Sequence, residues 1–179
     1  GNADKPGVYF DEENRRHLNT IRMAYASAAL DLAQKGKKEE AKKMLNKVDK
    51  MMLEENFPYG MVSRNQQHNY ISHLLVQAAY VAGDTVLAAK ITRSVTKDLQ
   101  QQLSYYAALN EDRAGNFDYI ADQQGRKGGD KNMAEQLLMR LRSFEQQFKN
   151  PVIPPAENPV PITTQPVAPQ KQTDSPKKK

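Results

Sequence analysis

Cysteine and tryptophan are both absent from this 179-residue chain. Without cysteine there is no disulfide, no thiolate nucleophile and no Cys-based zinc site. Long apolar runs are missing too: none approaches the ~18 residues that read as a membrane-spanning helix. Nothing at the start has the pattern of a secretory signal peptide. Opening on Gly1 rather than Met suggests a tag scar or a piece cut from a longer protein. Sustained apolar–polar alternation and Asn-Gly hairpin turns, the signals of β-structure, are lacking. No charge of one sign dominates, with 26 basic against 21 acidic residues for a net +5. A nucleic-acid binder gathers its basic residues on one face; here acids interleave with them, so nucleic acid is not an expected partner.

What is present is helical periodicity. Residues 1–10 read as a lead-in. Asp11 is placed to cap a first helix, with Glu12 and Glu13 in the first turn, where the helix dipole favours acids. Leu18, Ile21, Tyr25, Ala28 and Leu32 follow at helical spacing, and Gly36 ends the element. A second helix starts at once, with Ala41, Met44, Leu45, Val48 and Met52 inward and Lys42, Lys43, Asn46, Lys47 and Lys50 on the wet face. So short a link favours an antiparallel hairpin. Pro58 and Gly60 break the pattern. A third helix is predicted over 65–82, with Asn65 as its cap and Ile71, Leu74, Leu75, Ala78 and Ala79 inward. Gly83 ends it. A fourth, over 85–109, carries the stripe Ile91, Val95, Leu99, Leu103 and Tyr106. Between 110 and 130, Phe117, Tyr119 and Ile120 suggest a short docking turn. A last helix over 130–148 aligns Met133, Leu137, Leu141, Phe144 and Phe148. Eight of the ten prolines lie between Pro151 and Pro176. Proline removes backbone donors, so 150–179 reads as a disordered, partly polyproline-II tail.

The two hairpins resemble each other. ALDLAQKGKKEEAKKML and LVQAAYVAGDTVLAAKI each place Gly and, five residues on, Ala between their helices: Gly36 and Ala41, then Gly83 and Ala88. Glycine permits the left-handed turn and alanine the close approach. The tetratricopeptide repeat has this Gly and Ala at this spacing, in units of ~34 residues. Here the copies are 47 residues apart, so the linker around Pro58 is longer. The expected architecture is all-α: antiparallel hairpins stacked as a tetratricopeptide-like right-handed array of about five main helices over 11–149, followed by the tail.

A wider resemblance rests on the acidic–arginine entry helix after VYF (Asp11 to Arg16), Gly36-Lys37 then Ala41, the run ENFPYG with Pro58-Tyr59, Ala82-Gly83-Asp84, and Tyr105-Tyr106 before the fourth helix ends. This arrangement, over residues 7–109, resembles the C-terminal region of Bacteroidetes multi-span membrane proteins with domain of unknown function 2723, which are similar to protein O-mannosyltransferases. The resemblance implies a catalytic membrane part upstream that transfers sugar from a lipid carrier, and an extracytoplasmic, periplasmic placement for this region. It carries over no catalytic residue, and it stops at Asn110.

No catalytic constellation emerges from the residues themselves. His68 and His73 are five apart, whereas helical metal pairs sit at i, i+4, and His17 matches neither; no metal or cofactor is expected. Gly125 to Lys131 lacks the Gly-Lys-Ser/Thr ending of a phosphate loop. Glu39-Glu40, Glu54-Glu55 and Glu111-Asp112 are adjacent acids that point apart on a helix. Ser63, Ser72 and Ser94 have no motif pairing them with a base. The richest polar stretch is PYGMVSRNQQHNYISH, which offers Tyr59, Arg64, Asn65, His68, Asn69 and Tyr70 as binding residues at the joint between hairpins. Repeat proteins bind on concave faces and loops, and Arg and Tyr are enriched at binding hot spots. The expected partner is a protein or peptide, or the parent's own membrane domain. The competing reading is a free-standing soluble cytoplasmic helical protein that binds protein or RNA.

Overall fold

The computed structural model describes residues 2–112 and 129–149. Among these residues are five α-helices: α1 (Glu12–Gln34), α2 (Lys38–Met51), α3 (Gln67–Ala82), α4 (Thr85–Asp112) and α5 (Gly129–Lys149), with a short 3-10 turn at Arg64–Gln66. No strand occurs among the described residues. The suggested turn at Phe117–Ile120, most of the glycine-rich link and the 150–179 tail lie outside them.

The helix ends follow from the predicted signals. The Asp11 carboxylate accepts from the Asn14 amide at 2.8 Å and caps α1. Gly36 and Gly83 adopt left-handed φ values of 80° and 81°. Their turns are hydrogen-bonded alike: the Lys37 amide donates to the Leu32 carbonyl at 2.9 Å, and the Asp84 amide to the Ala79 carbonyl at 2.8 Å. Both are 6→1 closures of the Schellman type. Ala41 and Ala88, five residues beyond each glycine, are both fully buried. Asp84 also caps α4, accepting from the Leu87 amide.

Helix α3 is the centre, packing against α1, α2, α4 and α5. It buries His68, Asn69, Ile71, Ser72, His73, Leu75, Val76, Ala78, Ala79, Tyr80 and Ala82, so it has core on almost every side. Helix α4 presents Ile91, Val95 and Leu99 as predicted, all fully buried. In α5, Leu137 and Leu141 are buried. Phe144 meets the His73 ring edge-on at 5.2 Å, and Phe148 stacks on Tyr80 at 4.8 Å.

Helix α1 departs from expectation. Its buried face is Arg22, Ala26, Ala29 and Ala33, rotated from the predicted stripe. Leu18, Tyr25 and Leu32 are only partly buried against the core, and Ile21 is exposed. Three alanines let α1 lie close against α3, and the larger aliphatics flank that contact instead of filling it. Asn65 does not cap α3. Gln66 holds the cap position without a side-chain cap bond; the Ser63 hydroxyl accepts from the His68 amide at 2.8 Å, while Asn65 and Gln66 take up left-handed backbone with φ of 53° and 55°.

Candidate functional site

The segment from Asn56 to Asn69 threads between the two hairpins, and its polar side chains divide into a buried group and an open one. The buried group is organised by Arg22, the largest side chain in the interior, at 1% exposure. Its guanidinium donates to the carbonyls of Phe57 and Pro58, the latter at 2.9 Å. It lies over the Phe57 ring at 4.1 Å and the Tyr59 ring at 4.4 Å. Burial lowers its pKa to about 10, which leaves it charged at neutral pH. Two carbonyls and two π faces thus take the place of a carboxylate partner.

His68 completes this arrangement. Its Nε2 lies 2.7 Å from the Pro58 carbonyl, so the ring donates from that nitrogen, and the ring meets Phe57 edge-on at 5.0 Å. Burial, then the neighbouring Arg22 charge, depresses its pKa to about 4. Neutral His68 is therefore a structural donor. Tyr59 donates from its phenol to Asp49 at 2.6 Å, and Asp49 also holds Lys90 at 2.7 Å. Burial and that carboxylate push the phenol's pKa up. The Ser72 hydroxyl donates to the Tyr59 carbonyl at 2.6 Å. Asn69 accepts from the Met61 amide and donates to Gln66 and to Asp98, at 3.1, 2.9 and 2.8 Å. Gln102 bonds both Gln66 and Asp98.

The run Asn56 to Gly60 can be read residue by residue. Asn56 pins the lead-in, accepting from the Val8 amide at 3.2 Å and donating to the Lys5 carbonyl. Phe57 and Tyr59 flank the guanidinium, and Pro58 offers its carbonyl to Arg22 and His68. Gly60 donates its amide to the Ser94 hydroxyl at 3.2 Å. A side chain at Gly60 would collide with the Ser94 carbonyl and stand 2.8 Å from Asp98 Cβ, so only glycine lets the loop lie this close to α4.

Of the six residues expected to bind a partner, Tyr59, His68 and Asn69 are at 1% exposure or below and are engaged in this joint. Arg64, Asn65 and Tyr70 are exposed. They share an open groove of about 870 Å³ with Glu12, Arg15, Arg16 and Asn19 of α1. Asn65 and Tyr70 also edge a smaller cleft of about 180 Å³ beside Met133 and Arg140 of α5. The ridge carrying them is strained: two successive non-glycine residues in left-handed backbone cost roughly 1–2 kcal/mol each. The buried Gln66 side chain, bonded to Gln102 and Asn69, holds that turn in place.

The remaining candidate groups are engaged elsewhere. Ser63 accepts from the His68 amide in the first turn of α3, Ser72 holds Tyr59, and Ser94 accepts from Gly60. His17 sits on the surface beside Glu13 at 3.3 Å. Among the described residues no three His, Asp or Glu side chains converge as metal ligands would, and no described helix is long and apolar enough to cross a membrane. Sequence reasoning missed Arg22, Asp49, Asp98 and Gln102. The available signal was α3 itself: apolar residues all round a helix mean burial on every side, and its polar residues then need buried partners. Comparison of the chain with protein-family models, with curated proteins and with solved structures found no match.

Proposed function

We propose that this region is a non-catalytic helical interaction domain that recognises a protein or peptide in the groove between the start of α1 and the Arg64–Tyr70 ridge. One observation carries the reading: a strained, exposed turn is fixed from below by a buried, hydrogen-bonded polar joint. Backbone strain held in place by its surroundings clusters at ligand sites, and a preformed surface binds without a large ordering cost. Arg64 and Tyr70 are of the residue types that dominate binding energy. The packing order, α1 on α2 and α3, and α3 on α4, with two turns of identical hydrogen bonding, supports a tetratricopeptide-like stack of hairpins.

The wider setting rests on the resemblance of residues 7–109. On that reading the region is the extracytoplasmic C-terminal part of a membrane glycosyltransferase-like protein, and the partner is an acceptor protein or the parent's own membrane domain. A photo-crosslinking residue in place of Tyr70, expressed in native cells, tests both proposals. A discrete protein adduct at this position, absent for the same residue in place of the comparably exposed Met139 on α5, is expected. Equal, diffuse labelling at both positions would overturn the groove. An immunoblot of the same cells reads the parent: a membrane band much larger than 20.2 kDa is expected, and a soluble band of that size would remove the membrane setting.

A further inference from the structure

A second groove, of about 940 Å³, lies along the α1–α2 hairpin. Leu18 and Ile21 of α1 and Met51 of α2 give it an apolar floor, and Asp4 of the lead-in also lines it. Ile21 and Met51 are each 38% exposed, so apolar surface is left open to water. The near rim is Lys43, Lys47 and Lys50. Their spacing of four and three residues puts them on one face of α2, spread over about 10 Å of axis at 1.5 Å per residue.

These lysines differ from Lys35, Lys37 and Lys42 on the same hairpin. Lys35 pairs with Asp31, Lys37 with Glu40 and Lys42 with Glu39. Asp49, the acid nearest the rim in sequence, is taken by Lys90. Among the described residues Lys43, Lys47 and Lys50 make no ion pair. Like charges at this spacing repel within a helix, a cost to the free protein that an occupant of opposite charge would relieve.

We infer that this groove docks an acidic amphipathic helix of a partner protein. The apolar floor asks for an apolar stripe, and the lysine rim asks for Asp or Glu beside it at matching i, i+4, i+7 spacing. Concavity distinguishes a helix about 10 Å across from a flat bilayer, whose acyl surface would have to cross the rim to reach the floor. A bare phosphate chain would leave the floor exposed.

The test is fluorescence anisotropy of the whole chain with a labelled helical peptide of roughly 18 residues, long enough to hold helix in water. The peptide carries one leucine stripe flanked by glutamates. Saturable binding that weakens with salt is expected. Reversing the rim (K43E, K47E, K50E) should weaken it ~10-fold or more. Replacing the floor (I21S with M51S) should weaken it at high salt, where charge is screened. All five side chains are on or near the surface, and a circular-dichroism melt of each variant verifies the fold. Equal binding of a peptide of the same composition with the stripe scrambled would overturn the proposal, as would binding unchanged by the rim reversal. Binding to phosphatidylserine vesicles with none to the peptide would overturn it in favour of a membrane surface.

Discussion

The stretch from Pro58 to His73 contains two populations of polar side chain that composition does not separate. Tyr59, His68 and Asn69 are sealed beneath α1 and α4; Arg64, Asn65 and Tyr70, interleaved with them, face water. The difference is made by what each side chain meets. The first group finds carbonyls, carboxylates and an arginine at hydrogen-bond distance, so burial is compensated. The second is thrown outward by two left-handed residues. Buried polar groups here fix the position of the exposed ones, so one set determines stability and the other is free to meet a partner.

The sharpest way to break that division is Arg22→Met. Methionine keeps apolar contact with Phe57 and Tyr59 but leaves the Phe57 and Pro58 carbonyls without their donor. A loss of about 3–5 kcal/mol is expected from urea unfolding. Arg22→Lys should recover little of it, because one ammonium cannot reproduce the fork of a guanidinium.

Acid should act next, and in the same place. His68 has a folded pKa of about 4 against an ordinary value of 6.5. Between those values the unfolded chain binds more protons than the folded one. Stability is therefore complete above about pH 6.5, falls as pH drops, and levels off below about pH 4, after a loss of about 3 kcal/mol. His73, whose pKa is lowered by burial and then by Arg140, adds in the same direction. Unfolding midpoints measured across this range should flatten in His68→Gln, which retains a donor for the Pro58 carbonyl; an unaltered slope would remove His68 as the cause.

The smallest effect on stability is expected on the open side. Arg64→Ala and Tyr70→Ala should each shift unfolding by no more than about 0.5 kcal/mol. A large loss in either would mean that the exposed set also holds the fold.

Much of the architecture was legible because local chemistry wrote it. Asp11, Gly36 and Gly83 stop and start helices by backbone rules that need no tertiary context. The buried face of α1 was not legible in the same way. Hydropathy favours Leu18 and Ile21 over alanine, whereas close helix contact favours Ala26, Ala29 and Ala33, and no apolar pattern points to an arginine one turn before them. Asn65 looked like a cap by residue type, but Ser63 is the residue whose hydroxyl reaches the His68 amide. Of the candidate site, the sequence marked out the polar stretch but not its division into buried and exposed side chains. Which of Tyr59, Arg64, Asn65, His68, Asn69 and Tyr70 turn inward depends on contacts 29 to 46 residues away in sequence, such as Asn69 with Asp98 and Arg22 with His68.

Those separations also bear on time. The Phe57–Gly60 loop touches α1, α3 and α4 together, so it cannot seat until both hairpins stand. Contacts this distant carry more closure entropy than those within a single hairpin and are expected to form late on the route to the native state. Energy gained after the rate-limiting step does little to hasten folding, yet it must be surrendered before the chain can open. The guanidinium clasp is thus expected to act as a latch on the lifetime of the native state, with little influence on how fast that state is reached.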